Sequence, residues 1–447
     1  MSNIIEVIDK KSTINIPGSK YIANRILMIS ALTKGTNIIK NVPKNNDIDF
    51  LIKILKKIGV KIKQDKICKS TLRITGLGTT PKQNIKKLKK IKLKTESGTA
   101  YRFMVAVLCL LYDNLKIKIP KRLRKRPILE LCDALNDLGA ECNLDKKGKT
   151  IIITKSAKGG KTKIDSSKSS QFISALLLIA PCLEEGLELI AKGNIVSKGY
   201  INLTIKCMKD FGIRVTENKK SYSIKQHHIK HVYFPRDYSI EKDWSSANYF
   251  LAIAALTKED IKIDNLNFET KNKESEFYKI LEGMSCRIKK SKTNIEITHT
   301  AISKKNNTKL KGITKDMNNM PDSVPTLAVL ATIAEGKTVI KNIEHLKYKE
   351  SNRIESIAKG LNKLGIKTST TSKSLIIVGN REKILNISKK IKIDPHNDHR
   401  LAMSFGLLTL LNKNIKIKNT KCVRKSFPDY WKELDKVEQA QQENQKT

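Results

Sequence analysis

Basic side chains recur at one kind of place in this chain. Lys20 with Arg25, Arg102 and Arg400 stand in or beside the opening of segments that are otherwise almost wholly apolar, and in a further segment of this kind the position holds Gln171. Each segment is preceded by Ser or Asp, residues that favour a helix N-cap. A helix N-terminus exposes unpaired N–H groups and carries about half a positive charge. A lysine or arginine there opposes the dipole and costs a few tenths of a kcal/mol or more. Repetition of that cost is explained by a negative ligand held among the helix starts, because N–H groups, dipole and side-chain cations then act together. The chemistry these residues suit is capture of a small polyanion.

The elements that position these residues form a long internal repeat. Six segments begin at Ser19, Ser97, Ser169, Ser245, Asp322 and Asp398; each reads as an Ala/Leu/Ile-rich helix, a short turn and a β-branched strand. A second, amphipathic helix follows, as in IDFLIKILKKIGVKI, PILELCDALNDLGAEC, INLTIKCMKDFGIRV, SEFYKILEGMSCRI and RIESIAKGLNKLGIKT. Their apolar residues fall at i, i+3, i+4 and i+7, and four carry a glycine stop signal. Further strands such as STLRITGL, TIIITK, SYSIKQ, TNIEITHT and SLIIVGN close each copy. The period is roughly 75 residues, too long for a solenoid, and the sixth copy is truncated. The unit predicted is strand–helix–strand–helix–strand–strand. Helices apolar on every side belong in a core, so the first helices are expected as buried parallel bundles wrapped by sheets.

Composition sets outer bounds. The chain has 447 residues, and 87 Lys+Arg against 43 Asp+Glu give a formal charge of +44. Such a charge suggests nucleic acid, anionic membrane or anionic small molecules. The lysines, however, are spread evenly and accompany abundant Ile and Asn, as a compositional drift would leave them. No RNP-type aromatics, helix-turn-helix or basic stripe accompanies them, which argues against nucleic-acid binding. Hydrophobic residues make up 39% of the chain, enough for sizeable cores. No apolar run nears the ~20 residues that span a bilayer. The opening MSNIIEVIDKK has no secretory apolar core and is not Arg-rich, so a cytoplasmic location is expected. The eight cysteines show no CxxC or zinc spacing and read as reduced structural thiols.

Ten motifs occur in one order: PGSKYIANR (17–25), ESGTAYR (96–102), KRPI (125–128), SSKSSQF (166–172), VSKGYI (196–201), DWSSANYF (243–250), MNNMPD (317–322), KYKESNR (347–353), NDHRLAM (397–403) and KSFPDYW (425–431). From Pro17 to about Tyr430 the chain resembles the 5-enolpyruvylshikimate-3-phosphate synthases of the enolpyruvyl transferase superfamily. The resemblance implies an α/β (α+β) fold: a two-domain inside-out α/β barrel of six βαβαββ repeats, three per domain, around buried parallel helices. It places the first domain at 19–238 and the second at 1–18 plus 239–447, with the N-terminal strand in the second. The active site is then the interdomain cleft, which closes over the substrates.

The activity implied is transfer of the enolpyruvyl group of phosphoenolpyruvate to the 5-hydroxyl of shikimate 3-phosphate, with release of phosphate. The resemblance implies no metal or organic cofactor, no nucleic-acid or membrane partner, and a monomer. Carried over position by position, Lys20, Gly98, Arg126, Gln171, Arg353, Arg400 and Lys425 match phosphoenolpyruvate contacts. Lys20, Arg25, Ser169, Ser170, Gln171, Ser197, Asp322 and Lys349 match shikimate 3-phosphate contacts, with the Tyr200 ring beside the shikimate. Asp322 and Glu350 are the carboxylates expected to move protons, Asp322 at the 5-hydroxyl and Glu350 at the methylene carbon; Lys20 and Lys425 would act as acids toward the leaving phosphate. Alone, Asp322 reads as an N-cap and Glu350–Arg353 as an i,i+3 pair.

Three positions depart from the family pattern. Tyr21 follows Lys20 where a serine is usual, Glu96-Ser97 replaces Asn-Ala, and His345 stands where Asn is frequent. Glu96 is expected to offset the anion trap in part. Gly98 is retained, so glyphosate is expected to compete with phosphoenolpyruvate. The sister enzymes that use UDP-N-acetylglucosamine share the fold, but NDHR and KSFPDY are of the shikimate type.

Overall fold

The computed structural model describes residues 14–78, 85–225, 233–257, 261–298 and 310–444. Most of the expected N-terminal strand, the last residues of SYSIKQ and TNIEITHT, and the end of the C-terminal tail lie outside the described residues. The chain divides into two compact units, one of Gly18–Glu241 and one of Met1–Pro17 with Lys242–Thr447.

The six apolar segments fold as the helices Lys20–Leu32, Gly98–Leu111, Gln171–Ile179, Trp244–Leu256, Val324–Leu330 and His399–Gly406. Every residue in them is buried except Thr99 and Gln171, and those two are hydrogen-bonded, Gln171 Nε2 donating to Thr99 Oγ1 at 2.9 Å. Full burial of each Leu, Ile or Met side chain contributes roughly 1.5–3 kcal/mol, which is why the helices need no polar face. None has an acidic residue in its first turn. The amphipathic helices follow in place: Asn46–Ile58, Leu129–Asp137, Lys198–Asp210, Phe277–Gly283 and Arg353–Lys363. Gly59, Gly139, Gly212 and Gly365 then turn the chain at positive φ, and in the remaining copy Ser285 takes that conformation at φ 78°.

Three helix starts differ from the sequence reading. The third helix begins at Gln171, with Ser170 before it. The fourth begins at Trp244, because the Asp243 carboxylate, a stronger acceptor than the Ser245 hydroxyl, takes the Ser246 N–H at 3.0 Å. The fifth has Ser323 at its N-cap, which leaves the Asp322 side chain for other contacts.

In the Gly18–Glu241 unit three four-stranded sheets share one plan. Their strand orders are Asp237–Ser239, Thr36–Lys40, Leu72–Thr75, Lys61–Gln64; Lys90–Lys92, Leu115–Lys118, Thr150–Lys155, Glu141–Leu144; and Gly160–Asp165, Leu187–Lys192, Ser221–Ile224, Thr216–Asn218. The first pair in each is parallel and the others antiparallel. The first sheet takes its leading strand from the end of the unit, so the triplet closes on itself, and the Ser19 N–H donates to Glu241 O at 2.8 Å.

The other unit repeats this plan fully in the sheet Thr314–Asp316, Lys337–Lys341, Leu375–Val378, Lys367–Thr370. Among its described residues the remaining sheets have three strands (Ile261–Ile263, Ile295–Thr298, Arg287–Lys290) and two (Ile391–Ile393, Ile415–Ile417). The truncated sixth copy ends in the Tyr430–Asn444 helix, where Tyr430, Leu434 and Val437 join the core. Each unit has its own continuous hydrophobic cluster.

Candidate active site

In the Gly18–Glu241 unit the basic side chains gather at the helix starts and are held largely by neutral oxygens. Arg25 is 1% exposed; its Nε donates to Thr204 Oγ1 at 2.7 Å, Nη1 to Tyr21 O and Nη2 to Tyr200 O, both at 2.8 Å. Burial lowers its pKa to about 10, with Cys207, Tyr200 and Tyr21 acting against that pull. Thr204 continues the chain to the Ser174 hydroxyl at 2.9 Å. Arg102, also buried, donates twice to Pro127 O and, at 2.5 Å, to the Gln171 side-chain oxygen. Lys20 is held differently, 3.1 Å from the buried Asp47 carboxylate and 5.8 Å from the centre of the Tyr21 ring.

Gly98 and Arg126 explain each other. A Cβ on Gly98 would come within 2.6 Å of the Arg126 guanidinium, so only glycine lets that group lie across the start of the Gly98–Leu111 helix. Ser97 caps this helix, its hydroxyl accepting the Ala100 N–H at 3.2 Å. The exposed Glu96 carboxylate pairs with Arg122 at 2.6 Å, so part of its charge is countered outside the helix start. Ser169 is half-buried, and Ser170 and Ser197 are buried, Ser197 with φ 54°. Tyr200 lies tilted against Tyr21, ring centres 4.9 Å apart.

In the other unit the cations are interleaved with acids. Arg353 is 1% exposed and touches three carboxylates: Asp322 at 2.6 Å, Glu350 at 3.1 Å and Asp398 at 2.8 Å. Burial works against its charge, but Asp398, Asp322 and Glu350 overcome that and raise its pKa well above the ordinary value. Asp398 also caps the last core helix by accepting the Arg400 N–H at 2.9 Å. The Arg400 guanidinium reaches Asp322 at 3.6 Å and the Tyr249 hydroxyl at 3.1 Å. Glu350 holds Lys425 at 2.5 Å through its second oxygen. Lys349 is half-buried beside it in sequence. His345 is buried, and its pKa falls to about 3, first through burial and then through Lys349 and Arg353.

The structure thus brings Asp322, Glu350, Arg353, Arg400 and Lys425 together within one unit. In the other it groups Lys20 and Arg25 on one helix, Gly98 with Arg126, and Arg102 with Gln171. Asp322 is not merely a cap, nor is Glu350–Arg353 a surface pair: both carboxylates share one buried guanidinium. Four participants lie outside the site residues proposed from sequence. Asp47 sits in an ordinary acidic first turn, Asp398 reads as a plain N-cap, Arg102 is marked only by its helix position, and Glu274, whose carboxylate accepts the Asp322 N–H at 3.1 Å, is hidden in the charged run KNKESE. Only the pairing of basic residues with helix starts signalled any of them, and it signalled Arg102.

The family described as EPSP synthase (3-phosphoshikimate 1-carboxyvinyltransferase) matches residues 7–434. A 3-phosphoshikimate 1-carboxyvinyltransferase of Buchnera aphidicola subsp. Cinara cedri is 39% identical over 426 residues, covering 94% of this chain and 93% of the relative. One from Haemophilus influenzae (strain PittEE) is 36% identical over 439 residues, covering 96% of each. Among solved structures, an EPSP synthase from Acinetobacter baumannii superposes with TM-score 0.73 at 23% identity, covering 94% of each chain. The enolpyruvyl transferase NikO from Streptomyces tendae gives 0.71 at 15% identity, covering 94% of this chain and 93% of its own. At those identities the two structures speak to the fold: the two-domain inside-out α/β architecture.

Proposed function

The chain belongs to the EPSP synthase family, the 3-phosphoshikimate 1-carboxyvinyltransferases, and from that premise we propose how its residues divide the reaction. The enzyme transfers the enolpyruvyl group of phosphoenolpyruvate to the 5-hydroxyl of shikimate 3-phosphate, a step of aromatic amino-acid biosynthesis. In the addition the 5-hydroxyl loses its proton, its oxygen bonds to the enol carbon, and the methylene carbon gains a proton. In the elimination that carbon gives a proton back and the bond to phosphate breaks.

In our reading Arg25, Ser169, Ser170, Ser197 and Lys349 bind shikimate 3-phosphate, joined by Lys20, Gln171 and Asp322. Gly98, Arg126, Gln171, Arg353, Arg400, Lys20 and Lys425 hold phosphoenolpyruvate. Planar guanidinium forks suit its carboxylate and phosphate, and serine hydroxyls donate to phosphate without adding charge. Asp322 takes the 5-hydroxyl proton; Glu350 delivers and removes the methylene proton. Lys425, 2.5 Å from Glu350, and Lys20 serve as acids toward the departing phosphate. The observation that supports this reading is the single guanidinium of Arg353 gripping both Asp322 and Glu350, which holds the two carboxylates proposed as proton carriers among cations suited to the substrate's anions.

We read the two compact units as the family's two three-repeat domains, and the enzyme as a cytoplasmic monomer whose partners are its small-molecule substrates. Among the described residues no helix is long and apolar enough to cross a membrane. The deciding assay is phosphate release from phosphoenolpyruvate. Release that depends on shikimate 3-phosphate supports the reading; release without it, or with UDP-N-acetylglucosamine in its place, defeats it.

A further inference from the structure

Glu274 is a buried acid to which the reaction scheme gives no part. It lies in the short helical turn Lys273–Glu276, led by the Asn272 cap, and is 0% exposed. One carboxylate oxygen accepts the Asp322 N–H at 3.1 Å, and the other accepts the Ser323 hydroxyl. Its own carbonyl accepts Asn248 Nδ2 at 2.9 Å, and the same amide nitrogen lies 3.0 Å from Ser323 Oγ. Two successive residues, Asp322 and Ser323, are therefore clamped by one side chain reaching 48 residues along the sequence.

The clamp explains a local oddity. Ser323 precedes the Val324–Leu330 helix yet makes no side-chain cap bond, because its hydroxyl is committed to Glu274. A serine hydroxyl capping its own helix would be worth about 1 kcal/mol. A buried carboxylate is also expensive to keep. Burial pushes the Glu274 pKa up to about 7, Asp322 adds to that, and the Ser323 hydroxyl and Arg400 oppose it. A fold needing only packing at this spot would hold an apolar residue more cheaply.

We infer that Glu274 is a positioning residue for catalysis: by holding the Asp322 N–H and the Ser323 hydroxyl together, it fixes the backbone from which the Asp322 carboxylate reaches Arg353 and the substrate hydroxyl. This rests on the reading of Asp322 as the carboxylate that takes the 5-hydroxyl proton. Glu274 reaches Asp322 at its backbone N–H. Its effect is on aim, and misplacement of a catalytic group by about 1 Å can cost up to 10²-fold in rate.

The test uses the full-length enzyme and the variants Glu274→Gln, Glu274→Leu and Asp322→Asn, with kcat, KM for both substrates and the folded fraction measured for each. Gln keeps the volume and one acceptor for the Asp322 N–H but cannot accept the Ser323 hydroxyl; Leu keeps the volume and neither acceptor. The expected result is a graded fall in kcat per folded molecule, roughly 3–10-fold for Gln and 10–100-fold for Leu, with both KM values within about twofold. A residue that merely stabilised the fold would lower the folded fraction and leave kcat per folded molecule unchanged. Should Leu fail to fold, Gln decides: kcat at the parental value while Asp322→Asn is inactive overturns the inference alone. Parental kcat in Asp322→Asn overturns the reading beneath it as well.

Discussion

The same repeat built both halves of this chain, and the two halves hold their cations in opposite ways. In the Gly18–Glu241 unit the core helices begin after Ser19, Ser97 and Ser170, all neutral, and Arg25 and Arg102 donate to carbonyl, hydroxyl and amide oxygens. In the other unit two of the three caps are acids, Asp243 and Asp398, and Arg353 is ringed by carboxylates. Neutral caps leave the helix dipoles and guanidinium charges available to an anion. Acidic partners neutralise that field but supply groups that can carry protons. In the proposed reading the first unit's cations serve binding, while the second unit combines substrate-binding cations with the proton carriers. Lys20 fits the pattern from the other side: the residue of the first unit proposed to move a proton is held by a carboxylate, Asp47.

The division is broken most forcefully at the two proposed proton carriers. Asp322→Asn and Glu350→Gln should each lower kcat by about 10²–10⁴-fold, the usual worth of general acid–base catalysis, with KM values changed only a few-fold. Exchange of the methylene protons separates their roles, because it should vanish with Glu350→Gln. Persistence of exchange in that variant would move the methylene proton to another group.

Arg25 should show the reverse split. Its charge faces neutral oxygens, so removing it takes binding strength from an anion and leaves the carboxylates of the other unit untouched. A charged hydrogen bond is worth about 1.5–3 kcal/mol, so Arg25→Gln should raise KM for shikimate 3-phosphate roughly 10–100-fold while kcat moves only a few-fold. Initial rates at varied shikimate 3-phosphate measure it. A fall in kcat with constant KM would erase the contrast between the units.

Acid sensitivity sharpens the contrast next, on stability rather than rate. His345 is buried uncharged, its folded pKa of about 3 lying below the ordinary 6.5. As pH falls below 6.5 the unfolded chain takes up the proton first, so the His345 contribution to stability is lost progressively down to about pH 3. By pH 5 that amounts to about 2 kcal/mol. Glu274 slopes the other way: its folded pKa of about 7 exceeds the ordinary 4.5, so its burden on stability eases as pH falls through that window. In the parent the two slopes oppose. His345→Asn should remove the first, gaining about 2 kcal/mol on the parent between pH 7 and pH 5 in urea unfolding. Parallel curves for parent and variant would show that His345 is not held neutral by the fold.

What the sequence disclosed and withheld follows from range. Periodicity, Ala/Leu-rich runs and glycine stops are local, so six core helices, five amphipathic partners and the strands between them could be read directly. Helix starts were read within a residue or two, and the fourth was missed because a stronger acceptor, Asp243, stands two residues before Ser245. Partners brought together by tertiary folding left little trace. Nothing near Asp398 announces Arg353, 45 residues away, and nothing in KNKESE announces that Glu274 will be the buried one while Glu276 pairs with Lys273 at the surface. The basic residues at helix starts were legible because they contradict local electrostatics, and a contradiction of that kind can be seen without a structure.

Tyr21 offers the finest test of the binding half. Its ring lies 4.9 Å from that of Tyr200, its carbonyl receives Arg25 Nη1 at 2.8 Å, and Lys20 Nζ lies 5.8 Å from its ring centre. It therefore stands among three groups assigned to the substrates, at a position where a serine is usual. A phenol donates a hydrogen bond as a serine does, but from the far end of a ring. Stacked on Tyr200, that ring fixes the neighbour proposed to pack beside the shikimate, and such a pair contributes about 0.5–1.5 kcal/mol beyond burial. Tyr21→Ser therefore trades stacking and packing for a short hydroxyl on the helix start. If Tyr21 is an imperfect substitute, KM for shikimate 3-phosphate should fall about two- to fivefold, a difference of less than about 1 kcal/mol, while the melting temperature drops because a buried ring has been removed. Tyr21→Phe separates the two contributions, since it keeps the stack and deletes only the hydroxyl. If KM instead stays level or rises in Tyr21→Ser, the ring is an asset to binding. The first unit would then recognise its substrate through an aromatic wall as well as through charge.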